Sequence, residues 1–306
     1  MIERTRGLDL ACHAVLILGG LVVCVPIYFA FVAGSHTASD SLAVPPPWLP
    51  GDRFLENAES AWRRGRLGPL FVNSVIVAVG IAAGKIAVSL LSAFAITYFR
   101  FRYRMFAFWL IFVSLMLPVE VRIVPTYEAV ANVALPLQWL ADTLDVAAWI
   151  GAATGKRIEI AIEWNLVNTR AGLILPLIAS ATATFLFRQF FLTVPDELCE
   201  AARIDGASPL RFFRSVLLPL SMTNMAALGI ILFLYGWNQY LWPLLATTER
   251  EMTTAVVGLK YLIPQSETEP AWNVAMNAAV LVMLPPVAVV ILLQRWLVKG
   301  LVDSGK

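Results

Sequence analysis

Nucleotide hydrolysis is the first chemistry to test against these residues. It needs a Gly-x-x-x-x-Gly-Lys loop followed by Ser or Thr, whose backbone cradles phosphates and whose hydroxyl holds magnesium. The nearest approach, Gly151-Ala-Ala-Thr-Gly155-Lys156-Arg157, is one residue too short and ends on arginine. Histidine-dependent catalysis is poorly supplied, because only His13 and His36 are present and neither has an acidic partner in register. Cys12 and Cys24 lie in one apolar run and Cys199 in a polar stretch, which fits neither a disulfide framework nor metal-ligand spacing. The chain is therefore expected to be no enzyme and to bind no metal or cofactor of its own.

A different pattern stands out between Thr193 and Pro219. Thr193 can cap a helix whose first turn holds Pro195, Asp196 and Glu197, with both carboxylates at the positive end of the dipole. Gly206 supplies the left-handed residue that stops this helix. Ser208 and Pro209 then repeat the start signal for a second helix through Leu217. The result is a predicted helical hairpin exposing Leu198, Ala201, Ala202, Ile204, Phe212 and Phe213. Such an apolar surface implies that something docks there.

Elsewhere, polar groups sit inside apolar runs. Lys85 is the ionisable residue nearest the middle of one, and a charge there costs roughly 2.5 kcal/mol or more on insertion scales. It therefore needs a polar cavity, a carboxylate from another subunit, a phosphate ester, or room to snorkel. Glu120 and Arg122 lie near the end of another run and suit an interfacial salt bridge, with an outer gate or phosphate relay as the alternative. Tyr235, Asn238 and Gln239 could line a path or hydrogen-bond to neighbouring helices. Trp237 and Trp242 are expected as interfacial anchors and packing.

The elements that must position these groups are apolar helices. Hydrophobic residues make up 59% of the chain and charged residues 14%, against roughly 25% charged in a soluble domain; mean hydropathy is +0.73. Runs at 11–34, 69–97, 105–125, 171–192, 223–246 and 272–298 are each long enough to cross a bilayer, about 20 residues. The second contains Gly80-Ile-Ala-Ala-Gly84, a spacing that lets another helix approach closely. The first is too long for a signal-peptide core. Residues 35–66 read as irregular up to a short helix marked by Arg63, Arg64 and Arg66. Residues 126–170 read as a long insert, with an amphipathic helix over Leu137–Ile150 and strand-like alternation over Arg157–Trp164. Six spans put both termini on one side, and the basic residues packed into that side's short loops place it in the cytoplasm. The 193–219 hairpin falls on the same side and the insert outside. The net charge of +2 and the lack of a basic tract point to no nucleic-acid partner.

A hairpin between spans four and five of a six-span chain resembles the coupling segment of ATP-binding-cassette (ABC) importer permeases. The matching residues are Glu200-Ala201-Ala202-Arg203-Ile204-Asp205-Gly206-Ala207, with Leu218-Pro219 beyond. Trp237-Asn238-Gln239-Tyr240-Leu241-Trp242-Pro243 is similar to the carbohydrate branch of that family, whose permeases occur in unlike pairs. MIERT, MLPVEVRI, ATATFLFRQFF, ARIDGASPLRFF, YGWNQYLWPLL and GLVDS together resemble the membrane subunits of sn-glycerol-3-phosphate importers. Residues 135–168 depart from that pattern in length.

The resemblance implies an all-α polytopic membrane protein of the type I importer permease fold, multi-pass in a bacterial inner membrane. Its expected partners are an unlike permease, a homodimeric ABC ATPase that uses ATP and magnesium, an external solute-binding protein, lipid and a phosphorylated small solute. In that setting Glu200, Ala201, Ala202, Asp205, Gly206, Ala207, Leu218 and Pro219 would couple to the ATPase. Lys85, Glu120, Arg122, Tyr235, Asn238 and Gln239 would be candidates for the solute path. Another sugar or polyol is the alternative solute. An ion-coupled secondary transporter is the rival class, and it would want acidic or histidine relays within the spans.

Overall fold

In the computed structural model, residues 6–114, 119–154, 162–263 and 271–302 are described, and among them every regular element is a helix. In chain order the main ones are α1 (Arg6–Gly34), α2 (Phe54–Gly65), α3 (Leu67–Tyr98), α4 (Arg104–Val113) and α5 (Val119–Ala131). There follow α6 (Leu135–Thr143), α7 (Val146–Thr154), α8 (Arg170–Ile174), α9 (Ala181–Thr193) and α10 (Asp196–Ile204). The last are α11 (Pro209–Leu220), α12 (Met222–Trp237), α13 (Leu241–Ala246) and α14 (Trp272–Val302).

Spans four and five are interrupted by breaks that periodicity did not reveal. Among the described residues, only α1, α3 and α14 are single helices long and apolar enough to cross a bilayer. Span four is bent by 50° between Leu177 and Ala181, where Pro176 precedes a fresh N-cap, the Ser180 hydroxyl accepting from Ala183 N–H at 3.3 Å. Span five ends as a helix at Trp237 and restarts at Leu241. Pro243 accounts for that break: its ring crowds the carbonyl four residues back, on Gln239, and it has no N–H to offer. Span three is an apolar helix to Val113 that resumes at Val119, and residues 115–118 lie outside the described residues.

The chain forms two compact units, residues 1–71 with 255–287, and 72–254 with 288–306. In the first, most of α1 presents apolar side chains outward, and only its last turns pack inward, with Phe31 against Phe54 at 5.0 Å between ring centroids. The carbonyls at the end of α1 are met by buried amides. Asn57 Nδ2 donates to Gly34 O at 2.9 Å and to His36 O at 2.8 Å, and Asn277 Nδ2 donates to Gly34 O at 3.1 Å. These bonds satisfy helix-end acceptors that no water would reach. An apolar core of Ala61, Leu67, Leu70, Ala255, Val274 and Ala278 lies beside them.

In the second unit, small residues set the spacing of the helices. A Cβ on Gly80 would fall 2.6 Å from Ile174 Cδ1, and one on Gly84 would collide with Ile178, so the expected close-approach face of α3 is occupied by span four. Gly236 lets α12 lie on α3 backbone to backbone, with the place of a Cβ 2.8 Å from Ala78 Cα. Polar clips fix the neighbouring loops: Asn73 Nδ2 donates to Glu251 O at 2.7 Å, and Arg170 Nε donates to Asn73 Oδ1 at 3.3 Å.

One expectation for the insert is corrected. The single helix over Leu137–Ile150 is two helices, α6 and α7, parted by Asp145 at φ 49°, a left-handed position that aspartate tolerates. The strand-like Arg157–Trp164 lies largely outside the described residues. Its end is irregular, and backbone bonds such as Val133 N–H to Trp164 O at 2.9 Å hold it to the 130–133 turn. The arginine-marked helix before span two is present as α2.

Adding one methyl to α12 tests the packing. Gly236→Ala meets immovable backbone and should cost about 1–3 kcal/mol, lowering the thermal midpoint of the detergent-solubilised protein. Gly229→Ala, whose Cβ would find only Ile86 Cδ1 at 3.6 Å, should leave the midpoint unchanged. Equal midpoints for the two variants would contradict the close contact.

Candidate functional site

The hairpin forms, with its start moved. Thr193 is the last residue of α9, and its hydroxyl donates to Phe190 O at 2.7 Å instead of capping the next helix. The apolar span carries its helix through Thr193, so α10 begins at Asp196 after Pro195. Asp196 and Glu197 remain in its first turn, as the dipole favours.

Gly206 closes α10 at φ +68° with nothing within 4 Å of where a side chain would begin. Ala207 N–H donates to Ala202 O at 2.8 Å and Gly206 N–H to Arg203 O at 3.0 Å, the paired bonds that terminate a helix through a left-handed residue. Ser208 then caps α11 by accepting from Arg211 N–H at 3.3 Å. Within α11 a π turn spans Phe213–Leu217, with Leu218 N–H donating back to Phe213 O. Pro219 supplies the reason, since it cannot bond to Ser215 and crowds that carbonyl. After Leu220 the chain bends 70° into α12.

The faces of the hairpin differ from the expectation. Phe212 and Phe213 are buried at 5% and 9% exposure. Phe213 lies 4.9 Å from Phe94 and Phe212 5.4 Å from Tyr98, ring to ring, in a cluster that also holds Phe187 and Phe191. Ala202 is half-buried against the same cluster, beside a cavity of about 350 Å³ that Arg100, Cys199 and Arg203 also line. Left outward are Leu198, Glu200, Ala201, Ile204, Asp205 and Leu210, with Ile204 86% exposed. The Glu200 and Asp205 carboxylates bond to no other described side chain. The aromatic cluster was missed from sequence, although Phe94–Tyr98 and Phe187–Phe191 each sit four residues apart and thus share a helix face.

Of the second group of residues, Lys85 and Tyr235 come together. Lys85 is 7% exposed, and Nζ lies 3.6 Å from the centroid of the Tyr235 ring, a cation–π contact between α3 and α12. Arg122 lies on α5. Arg122 is exposed and forms no ion pair with a described residue; the Glu120 side chain, its expected partner, lies outside the described residues. Gln239 Nε2 donates to Tyr235 O at 3.1 Å and so closes the broken end of α12, while Asn238 stays exposed at the break. Trp237 and Trp242 are both buried, so they pack and do not anchor at an interface. Among the described residues no cluster of His, Cys, Asp and Glu could hold a metal ion.

Residues 69–303 match the family model described as binding-protein-dependent transport system inner membrane component. The sn-glycerol-3-phosphate transport system permease protein UgpE of Yersinia enterocolitica is 48% identical over 312 residues, covering 100% of both chains. The proteins of that name from Brucella melitensis and Rhizobium meliloti are each 48% identical over 313 residues, again across both full lengths. Among solved structures, a bacterial ABC transporter involved in import of the acidic polysaccharide alginate superposes with a TM-score of 0.71. It covers 96% of this chain and 98% of that one at 17% identity, a likeness of fold.

The aromatic seat of the hairpin can be tested by truncation. Phe212→Ala should cost about 3–5 kcal/mol of local packing. Amide exchange should then speed up over residues 196–208 and stay slow in α12. Unchanged exchange over 196–208 would show that the hairpin is held in some other way.

Proposed function

The chain belongs to the family of binding-protein-dependent transport system inner membrane components, and on that premise we propose that it forms half of the translocation pathway for sn-glycerol 3-phosphate. As a permease subunit of an ABC importer it is a multi-pass inner-membrane protein and not itself catalytic. The observation that carries the coupling half of the reading is the hairpin: a seated element whose outward Glu200, Ala201, Ile204 and Asp205 are exposed, with the two carboxylates bonded to no other described side chain.

In this reading Glu200, Ala201, Asp205 and Gly206 meet a separate homodimeric ATPase on the cytoplasmic side, where both termini also lie. Ala201 permits close approach, and the two carboxylates find their hydrogen-bond donors on the ATPase. Ala202 and Ala207 serve the inner face and the turn, and Leu218 and Pro219 fix the π turn that leads into the 70° bend. Motion at the ATPase then reaches α3 and α9 through Phe212 and Phe213. An unlike permease would complete the path, and an external binding protein would deliver solute to it. Lys85, Glu120, Arg122, Tyr235, Asn238 and Gln239 are this chain's contribution to the path. The substrate assignment draws on the relatives' names.

Reconstitution with the partner subunits tests the function. Vesicles supplied with internal ATP and external loaded binding protein should accumulate labelled sn-glycerol 3-phosphate, and a proton gradient alone should not drive uptake. Gradient-driven uptake without ATP would overturn the importer reading, and ATP-driven uptake of a different polyol alone would overturn the substrate. Gly206→Val should abolish stimulation of the ATPase by loaded binding protein, because a left-handed position costs a side-chain-bearing residue about 1–2 kcal/mol. Gly206→Asn, which accepts that conformation more readily, should retain most of the stimulation.

A further inference from the structure

Two hollows follow one another along a single face of α3. At its end, Tyr98, Phe99, Arg100, Arg203 and Pro209 help to line the cavity of about 350 Å³ beside the hairpin, and no described carboxylate lines it. The second hollow, of about 480 Å³, has apolar described walls throughout. Among them are Ala83, Ala87, Leu90 and Leu91 of α3, Phe213 of α11 and Met225 of α12. Positions 83, 87, 90, 94 and 98 recur at steps of three and four, so they share one side of the helix. Phe94 lines the cavity and Phe213 the groove, and their rings lie 4.9 Å apart, so the two hollows adjoin. At 1.5 Å per residue the stripe from Ala83 to Phe94 is about 16 Å long, which matches one leaflet of a hydrocarbon core roughly 30 Å thick.

We propose that these hollows together hold one anionic phospholipid, its phosphate on Arg100 and Arg203 and one acyl chain in the groove along α3. The importer reading above puts the hairpin in the cytoplasm, and on that reading the lipid belongs to the inner leaflet. The two arginines come from different elements, the loop after α3 and the last turn of α10, and they converge on one cavity. Arginines that merely mark the cytoplasmic side of a span need share no cavity. A guanidinium binds phosphate oxygens through two parallel hydrogen bonds, and basic pockets between spans on the cytoplasmic side suit anionic headgroups. A zwitterionic lipid would bring a third cation beside the two arginines. A free phosphate would leave the apolar groove unfilled, whereas an amphiphile fills both hollows. Cys199 and Ala202 of α10 line the same cavity, so a lipid held there braces the inner face of the hairpin against α3.

The test uses the complete importer complex in detergent micelles, titrated with phosphatidylglycerol or with phosphatidylcholine, and counts retained lipid by native mass spectrometry. Wild type should keep phosphatidylglycerol under conditions that strip phosphatidylcholine, and inorganic phosphate should not displace it. The double variant Arg100→Gln, Arg203→Gln should bind phosphatidylglycerol about tenfold more weakly or worse. Ala87→Phe fills the groove from an exposed position and leaves both arginines in place, and it should weaken binding several-fold. The same spectra show by mass that each variant complex is assembled. Equal retention of the two lipids by wild type would overturn the site. Equal phosphatidylglycerol binding by wild type and the double variant would also overturn it and leave the cavity to a side chain of the ATPase. Displacement by inorganic phosphate, or unchanged binding in Ala87→Phe, would remove the acyl chain from the groove and overturn the lipid as occupant. Binding is read without transport, so the lipid site can fail while ATP-driven uptake stands, and loss of the importer reading shows only in the uptake assay.

Discussion

A backbone surrounded by hydrocarbon must satisfy its own hydrogen bonds, and the rest of this structure follows from where it fails to do so. Continuous helices largely solve the problem in α1, α3 and α14, although Pro26 and Pro285–Pro286 offer no N–H. At the breaks of spans four and five a nearby polar side chain bonds to the freed backbone: the Ser180 hydroxyl at the start of α9 and Gln239 at the end of α12. Ser221 does so between α11 and α12, its hydroxyl donating to Leu217 O at 2.6 Å. The buried amides of Asn57 and Asn277 do the same for the end of α1. Polar side chains thus serve these breaks, while others, such as Asn73, Ser74, Lys85 and Ser89, are buried along the continuous α3.

Helix association in such a phase gains little from burial, because lipid is as apolar as leucine. This chain uses close contact at glycines and interlocking aromatic rings. Gly80, Gly84 and Gly236 bring α3 against spans four and five on two of its faces. At the end of α3 the spacing opens and rings fill it, with Phe94 and Tyr98 meeting Phe191, Phe212 and Phe213. One helix therefore carries the close-packed middle of this unit, the buried Lys85 and the seat of the hairpin. That continuity links the seat of the hairpin to Lys85 through one helix.

The hairpin itself combines strong local signals with long-range anchoring. Its turn is set by one left-handed glycine and its second helix by one serine cap. Neither would hold α10 against the body of the protein. The apolar cluster does that, and it leaves the acidic and small residues facing outward, available to a partner protein.

Composition and apolar run length alone determined that this chain crosses a membrane with helices. Local spacing determined that a hairpin turns at Gly206 and restarts at Ser208, because those signals act within one helical turn. The same local rules misplaced the start of α10, where the apolar span extended its helix through Thr193. They also treated span five as continuous, although Pro243 was in plain view, since a strongly apolar run masks a break. Only the tertiary structure decided that Phe212 and Phe213 face inward, that Ala202 packs against the aromatic cluster, and that Lys85 rests on Tyr235. Those outcomes depend on side chains far apart in sequence, 213 against 94 and 85 against 235. A helix's own periodicity states which residues share a face and not what that face will meet.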